Sequence, residues 1–197
     1  MSGMLPALVA FAAGMSFTPG PNNTLVTASG ASFGFRRSLP LLLGIVVGFA
    51  LMVGIVGLGA ARLFQALPAL HKVLKVAGSA YLLWLAWRIA RADRAGPAGA
   101  RARPLSFVEA MGFQWINPKG WVFGAGALSA FTSVGGNLVA EVALITAVLA
   151  IACLAGITTW CAFGVAIGRL LSSNRARAVF NWSMAGLLAL SVVAAFV

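Results

Sequence analysis

The chain has 197 residues, is 61% hydrophobic with a mean hydropathy of +0.98, and carries a formal net charge of +11. Only 9% of residues are charged, and the acids are Asp93, Glu109 and Glu141; such a chain has no solvated surface to offer as a soluble domain. Strongly basic chains can bind nucleic acid, but here the basic residues gather in alternate loops, as topology signals do, so the expected partner is the lipid bilayer and not nucleic acid.

A membrane span needs roughly 20 apolar residues, and about six such stretches fill the chain. Residues 1–4 carry no basic region, so residues 4–17 are read as the start of a retained helix and not as a cleaved leader. The first span is expected from about Met4 to Thr27. It is interrupted by Pro19-Gly20-Pro21, because proline lacks the N–H and clashes with the preceding turn. Asn22, Asn23 and Thr24 open a second half-helix, with proline at its first position. In lipid, a broken helix survives only where protein or a water-filled cavity surrounds it.

Gly30 to Leu39, with Arg36 and Arg37, is expected as the first loop, Pro40 to Ala61 as the second span, and Arg62 to His71 as the second loop. Lys72 and Lys75 then begin a third helix that ends at Arg88, with Tyr81, Trp84 and Trp87 as interfacial anchors. Residues 91–104, rich in Arg, Ala, Gly and Pro, read as a cytoplasmic linker. The fourth span is expected over Leu105–Phe131, interrupted at Asn117-Pro118-Lys119-Gly120. The fifth covers about Leu138–Ile167 and the sixth about Ala178–Val197.

The fold class expected is therefore an all-α polytopic membrane protein. Residues 1–90 and 105–197 each hold three helices, and helices 1 and 4 are broken. Three spans per half force opposite orientations on the halves, as in inverted repeats. Odd-numbered loops hold 10 basic residues and even-numbered loops with their helix ends hold 3, which places the odd loops in the cytoplasm and both termini outside. A first segment that re-enters without crossing would give five spans and keep the C-terminus outside. At 1.5 Å per residue the two breaks lie roughly 22 and 17 Å into a core of about 30 Å, from opposite faces. Inverted-repeat transporters place their substrate at that depth.

Lys119 is the one basic residue expected deep within a span. An ammonium there costs at least about 2.5–3.5 kcal/mol on insertion scales, so it must face a partner or water. It suits a substrate carboxylate or a change of protonation during transport; the competing reading is a lysine that pairs with an opened carbonyl at the kink. Asn22, Asn23, Gln114 and Asn117 can each donate and accept, and so suit either the two ends of an amino acid or the capping of half-helices. Glu109 and Glu141 are proton-coupling candidates beside Lys119, weighed against simple interfacial acids. Trp115 and Trp121 flank the second break and suit either a substrate cavity or packing. Gly30/Gly34, Gly44/Gly48, Gly120/Gly124 and Gly164/Gly168 are spaced for close helix approach; a homodimer is compatible with such faces.

Cys153 and Cys161 read as small buried hydrophobes. His71 is the sole histidine, no pair of aspartates exists and no phosphate-binding loop is present, so no enzyme, metal site or cofactor is expected. Two readings of another class stay open: a membrane scaffold whose breaks only shape packing, and a passive channel for small zwitterions.

Pro19-Gly20-Pro21-Asn22-Asn23, Gly34-Phe35-Arg36, Gly44 and Gly48 together resemble the first-half signature of the LysE/RhtB family of bacterial amino-acid exporters. Ala77-Gly78, Tyr81 and Trp84, and Phe107 followed by Asn117-Pro118-Lys119, carry the resemblance further, up to about Phe131. Ala110 and Gln114 stand where many members have glycine and asparagine. The double asparagine and Gln114-Trp115 look most like the branch that includes cysteine/O-acetylserine exporters. The resemblance implies efflux of amino acids or close derivatives across the bacterial inner membrane, driven by an ion gradient, with protons the expected ion. The expected substrate site joins Pro19, Gly20, Pro21, Asn22 and Asn23 to Gln114, Asn117, Pro118 and Lys119.

Overall fold

The computed structural model describes residues 4–60, 68–91, 103–133, 136–171 and 173–193, and the described residues are helical apart from short connections. Helix α1 spans Met4–Phe17, α2 Pro21–Phe33, and α3 Phe35–Ile55, which continues through a wider π-helical turn at Val56–Ala60. Helix α4 spans Pro68–Ala90 and α5 Phe107–Phe113, ending in a tight 3₁₀ turn at Gln114–Ile116. Helix α6 spans Pro118–Phe131, α7 Leu138–Leu170 and α8 Asn174–Val193.

Among the described residues, two helical stretches, Phe35–Gly59 and Leu138–Leu170, are long and apolar enough to cross a membrane. The 14 residues of α1 and the 13 of α2 reach about 20 Å each, so only the two in series match a bilayer core of about 30 Å. Helix α5, with 7 residues, reaches about 10 Å and α6, with 14, about 20 Å, so neither alone matches that thickness. Breaks therefore fall inside both of these segments and not at their ends.

The expected ten-residue first loop is absent. Helix α2 runs on to Phe33, and Gly34, at a φ of 79°, turns the chain by itself into α3. Ser38 Oγ donates to Gly34 O at 2.9 Å and shares a 2.7 Å hydrogen bond with Ser29 Oγ, which ties the corner. Arg36 and Arg37 suggested a loop, yet both sit exposed in the first turn of α3, where long side chains carry their charge away from the helix. The linker lies largely outside the described residues, and with it Asp93, Arg94 and Arg101; so do Arg62 and the rest of 61–67.

Glycines set the packing. An added Cβ at Gly30 would collide with Cys161 O, at Gly164 with Thr27 O, and at Gly156 with Ser16 O, so α1 and α2 lie backbone to backbone along α7, running the same way. Gly44 meets Phe107 O and Gly48 meets Met111, while Gly124 packs on Val53 and Met52, so α3 runs alongside α5 and α6 in the same manner. Leu42, Ile45 and Met52 of α3 and Ile145, Leu149 and Ile157 of α7 fill the centre. Helices α4 and α8 form a second cluster through Leu82, Leu85, Ala185 and Leu188, which holds Leu25 and Phe113 from the half-helices.

The perimeter is apolar: Leu43, Leu51, Val122, Ile151 and Leu190 are all exposed. An apolar rim around a packed interior fits lipid as the surrounding solvent, where close van der Waals contact and not exclusion of water holds helices together. Tyr81 stacks on Trp84 at 5.4 Å, and Arg88 and Arg91 lie over the rings of Trp84 and Trp87 at 4.8 and 3.5 Å. This is the aromatic and basic edge expected of an interfacial helix end.

Candidate functional site at the two helix breaks

Pro19 and Pro21 lack the N–H groups that would bond Met15 O and Phe17 O, and the turn between them withdraws the donors for Ser16, Thr18 and Pro19. An opened carbonyl inside a membrane protein needs another donor. Each of the five finds one in a side chain. Thr18 Oγ1 donates to Met15 O at 2.8 Å, and Asn23 Nδ2 donates to Ser16 O at 2.9 Å and Thr18 O at 2.8 Å. Trp160 Nε1 donates to Phe17 O at 3.3 Å. Lys119 Nζ donates to Thr18 O at 2.7 Å, Thr18 Oγ1 at 3.1 Å and Pro19 O at 3.2 Å.

The second break forms differently. Asn117 precedes Pro118, which disfavours the helical region, and it is extended at φ −83° and ψ 105°. Pro118 then starts α6, as Pro21 starts α2. Trp121 Nε1 donates to Trp115 O at 2.8 Å, and the two rings meet edge to face. These tryptophans brace the break and do not line the cavity described below.

Two contacts lock the breaks together across about a hundred residues of sequence. The first is Lys119 on Thr18 and Pro19. The second is a reciprocal amide pair: Asn22 Nδ2 donates to Gln114 Oε1 at 2.9 Å and Gln114 Nε2 donates to Asn22 Oδ1 at 3.2 Å. Phe11 of α1 meets Phe123 and Phe131 of α6 at 5.4 and 5.9 Å, so α1 and α6 run antiparallel away from the breaks. The lysine contact therefore lies on the α1/α6 side and the amide pair on the α2/α5 side.

Between them is a cavity of about 40 Å³, room for about one water. Gly20, Asn22 and Asn23 border it from the first break, and Asn117, Lys119 and Gly120 from the second. Phe49, Phe123 and Ile157 supply an apolar wall, and the buried free thiol of Cys153 completes it. Asn117 Oδ1 and Ser16 Oγ, both on this cavity, are buried and without a hydrogen-bond partner. Asn117 makes no capping hydrogen bond to α6, so its amide oxygen is an unused acceptor. Asn22 and Asn23 in the first turn of α2, and Lys119 and Gly120 in the first turn of α6, border the same space from opposite halves, and first-turn N–H groups of a helix are available to an anion.

The expected substrate residues are thus brought together, with Gln114 joined to the group through Asn22. The two acids are not. Glu109, exposed, forms a capping box with Ser106 and accepts both guanidinium nitrogens of Arg103 at 2.7 and 2.9 Å. Glu141 bonds Ser133 Oγ and Ser133 N at the start of α7. Ser106-x-x-Glu109 is a capping-box pattern legible from sequence. Ser16, Thr18 and Cys153 gave no sequence signal, since a lone hydroxyl or thiol in an apolar run has none.

A sequence model of the LysE type translocator family matches residues 13–197. The chain is similar to proteins named cysteine/O-acetylserine efflux protein from Salmonella typhimurium, Escherichia coli and Shigella flexneri, each 38% identical over 116 residues. The match covers 59% of this chain and 59% of each relative, so it spans about three-fifths of the relatives' length. No solved structure matches the chain.

Proposed function

The chain belongs to the LysE type translocator family, and from that premise we propose that it exports amino acids or close derivatives across the bacterial inner membrane, binding them between the Pro19–Asn23 and Asn117–Lys119 breaks. The observation that carries the proposal is the cavity shared by the two breaks, with Asn117 Oδ1 and Ser16 Oγ left as buried acceptors. Those acceptors suit hydrogen-bond donors of a small polar substrate, and the two half-helix N-termini suit its carboxylate. Small polar substrates, cysteine and O-acetylserine first, follow from the names of the similar proteins.

A 40 Å³ cavity is smaller than an amino acid, so transport requires the breaks to part. Coupling to protons is assigned to Lys119 in preference to Glu109 or Glu141, because of the three only Lys119 borders the cavity. The fold is read as six spans in two inverted halves, 1–90 and 105–197, joined by a cytoplasmic linker over 91–104. The parallel packing of α1–α2 with α7 and of α3 with α5–α6 supports it, since one pair becomes the other when the halves are exchanged.

The test is uptake of labelled cysteine, O-acetylserine and a panel of other amino acids into inside-out vesicles, with and without a proton gradient. Gradient-dependent accumulation is expected, with a C-terminal reporter facing outside. Accumulation indifferent to the gradient would indicate a passive channel. None, from protein shown to be folded, would leave a scaffold.

A further inference from the structure

The ammonium of Lys119 is the most completely satisfied group at the site. Three oxygens receive it at 2.7, 3.1 and 3.2 Å: Thr18 O, Thr18 Oγ1 and Pro19 O. An ammonium has three protons to donate, so nothing remains for a substrate carboxylate. Two of the three acceptors are carbonyls at the C-terminal end of α1, where the helix dipole adds negative potential. The oxygens thus form a cradle for a primary ammonium, filled by a side chain from the other half of the protein. Gly20 makes room for that side chain: an added Cβ would lie 2.6 Å from Lys119 Cδ and 3.1 Å from Nζ.

We propose that the Thr18–Pro19 cradle is the binding site for the substrate's own primary ammonium, and that Lys119 is a tethered occupant which the substrate displaces. The assignment of the displaced cation's competitor as substrate rests on the exporter reading; the cradle does not. Exchange balances the charges. The incoming ammonium takes the three oxygens, and the freed Lys119 ammonium pairs with the incoming carboxylate. Because the Lys119 contact is also the lock on the α1/α6 side, the exchange releases that side of the cavity only when a zwitterion is present. An amine without a carboxylate gives Lys119 no new partner and displaces it poorly, and an N-acylated amino acid has no ammonium to offer.

The test is chemical replacement. Lys119→Ala deletes the atoms of n-propylammonium, so that ion is the probe, with n-propyltrimethylammonium, which has no N–H, as its control. Thermal unfolding of the purified full chain is followed against probe concentration. Charge-assisted hydrogen bonds are worth about 1.5–3 kcal/mol, so half-maximal stabilisation of Lys119→Ala should need at least about tenfold less n-propylammonium than the wild type. The quaternary ion should stabilise neither, and a transported amino acid should compete with n-propylammonium in the variant. Equal responses of variant and wild type, equal responses to the two ions, or no competition would overturn the proposal. If Lys119→Ala does not fold, Lys119→Ser opens the same space. Stabilisation by n-propylammonium in a protein that exports nothing would keep the cradle and remove the exporter; export without that stabilisation would do the reverse.

Discussion

Asn117 is the residue at which the proposed function predicts stability and export to part most clearly. Its side chain is 2% exposed, its Oδ1 has no partner, and it caps nothing. A buried acceptor left unsatisfied costs about 1–3 kcal/mol. Replacing it should relieve that cost, against the loss of its packing. Asn117→Ala is therefore expected to keep its thermal midpoint within a few degrees of wild type, or to raise it, while export in vesicles falls at least about tenfold. A matching loss of stability and flux would instead make Asn117 a structural residue. Lys119, Asn22 and Asn117 were legible because polar groups beside a proline in an apolar run need a reason. Thr18 and Ser16 were not, since nothing in a one-dimensional pattern distinguishes a serine that bonds its own helix from one that faces a cavity.

At the scale of elements, both broken segments have an apolar helix, a gap and a proline-started half-helix. Proline chemistry made the restarts at Pro21 and Pro118 legible. The chain's turn at Gly34 was not, because a single residue at positive φ does what a loop was expected to do. Across the breaks, the Asn22–Gln114 pair holds the α2/α5 side closed. Gln114 is fully buried, so Gln114→Ala leaves Asn22 without its partner as well as losing its own bonds. The expected cost is about 1–3 kcal/mol in unfolding experiments. With that side loosened, the buried Cys153 thiol should be alkylated several-fold faster than in wild type, in a background where Cys161 is serine. An unchanged alkylation rate would remove the pair from any role in closing the cavity.

For the whole molecule, the composition conveyed a helical membrane protein and the two breaks pointed to the segments that border one cavity, but neither told which helices touch. That depended on glycines. Gly30 and Gly164 seat α2 against α7, and Gly44 and Gly48 seat α3 against α5; the spacing announced close approach without naming partners. The resulting pairs bring residues some hundred positions apart into hydrogen-bonding contact at the cavity. Under the proposed export, opening that cavity moves one set of half-helices against the other, with Lys119 and Gln114 as the contacts expected to yield.

The central claim is that substrate lies in the cavity between the breaks, and Cys153 on its wall reports it directly. The measurement is the alkylation rate of Cys153 by a small maleimide in the Cys161→Ser protein, with and without a thiol-free amino acid that the vesicles transport. The account predicts slower alkylation at transportable concentrations, with protection lost in Asn117→Ala. Alkylation at the same rate with saturating substrate, in protein that still transports it, would place the substrate elsewhere and contradict the account.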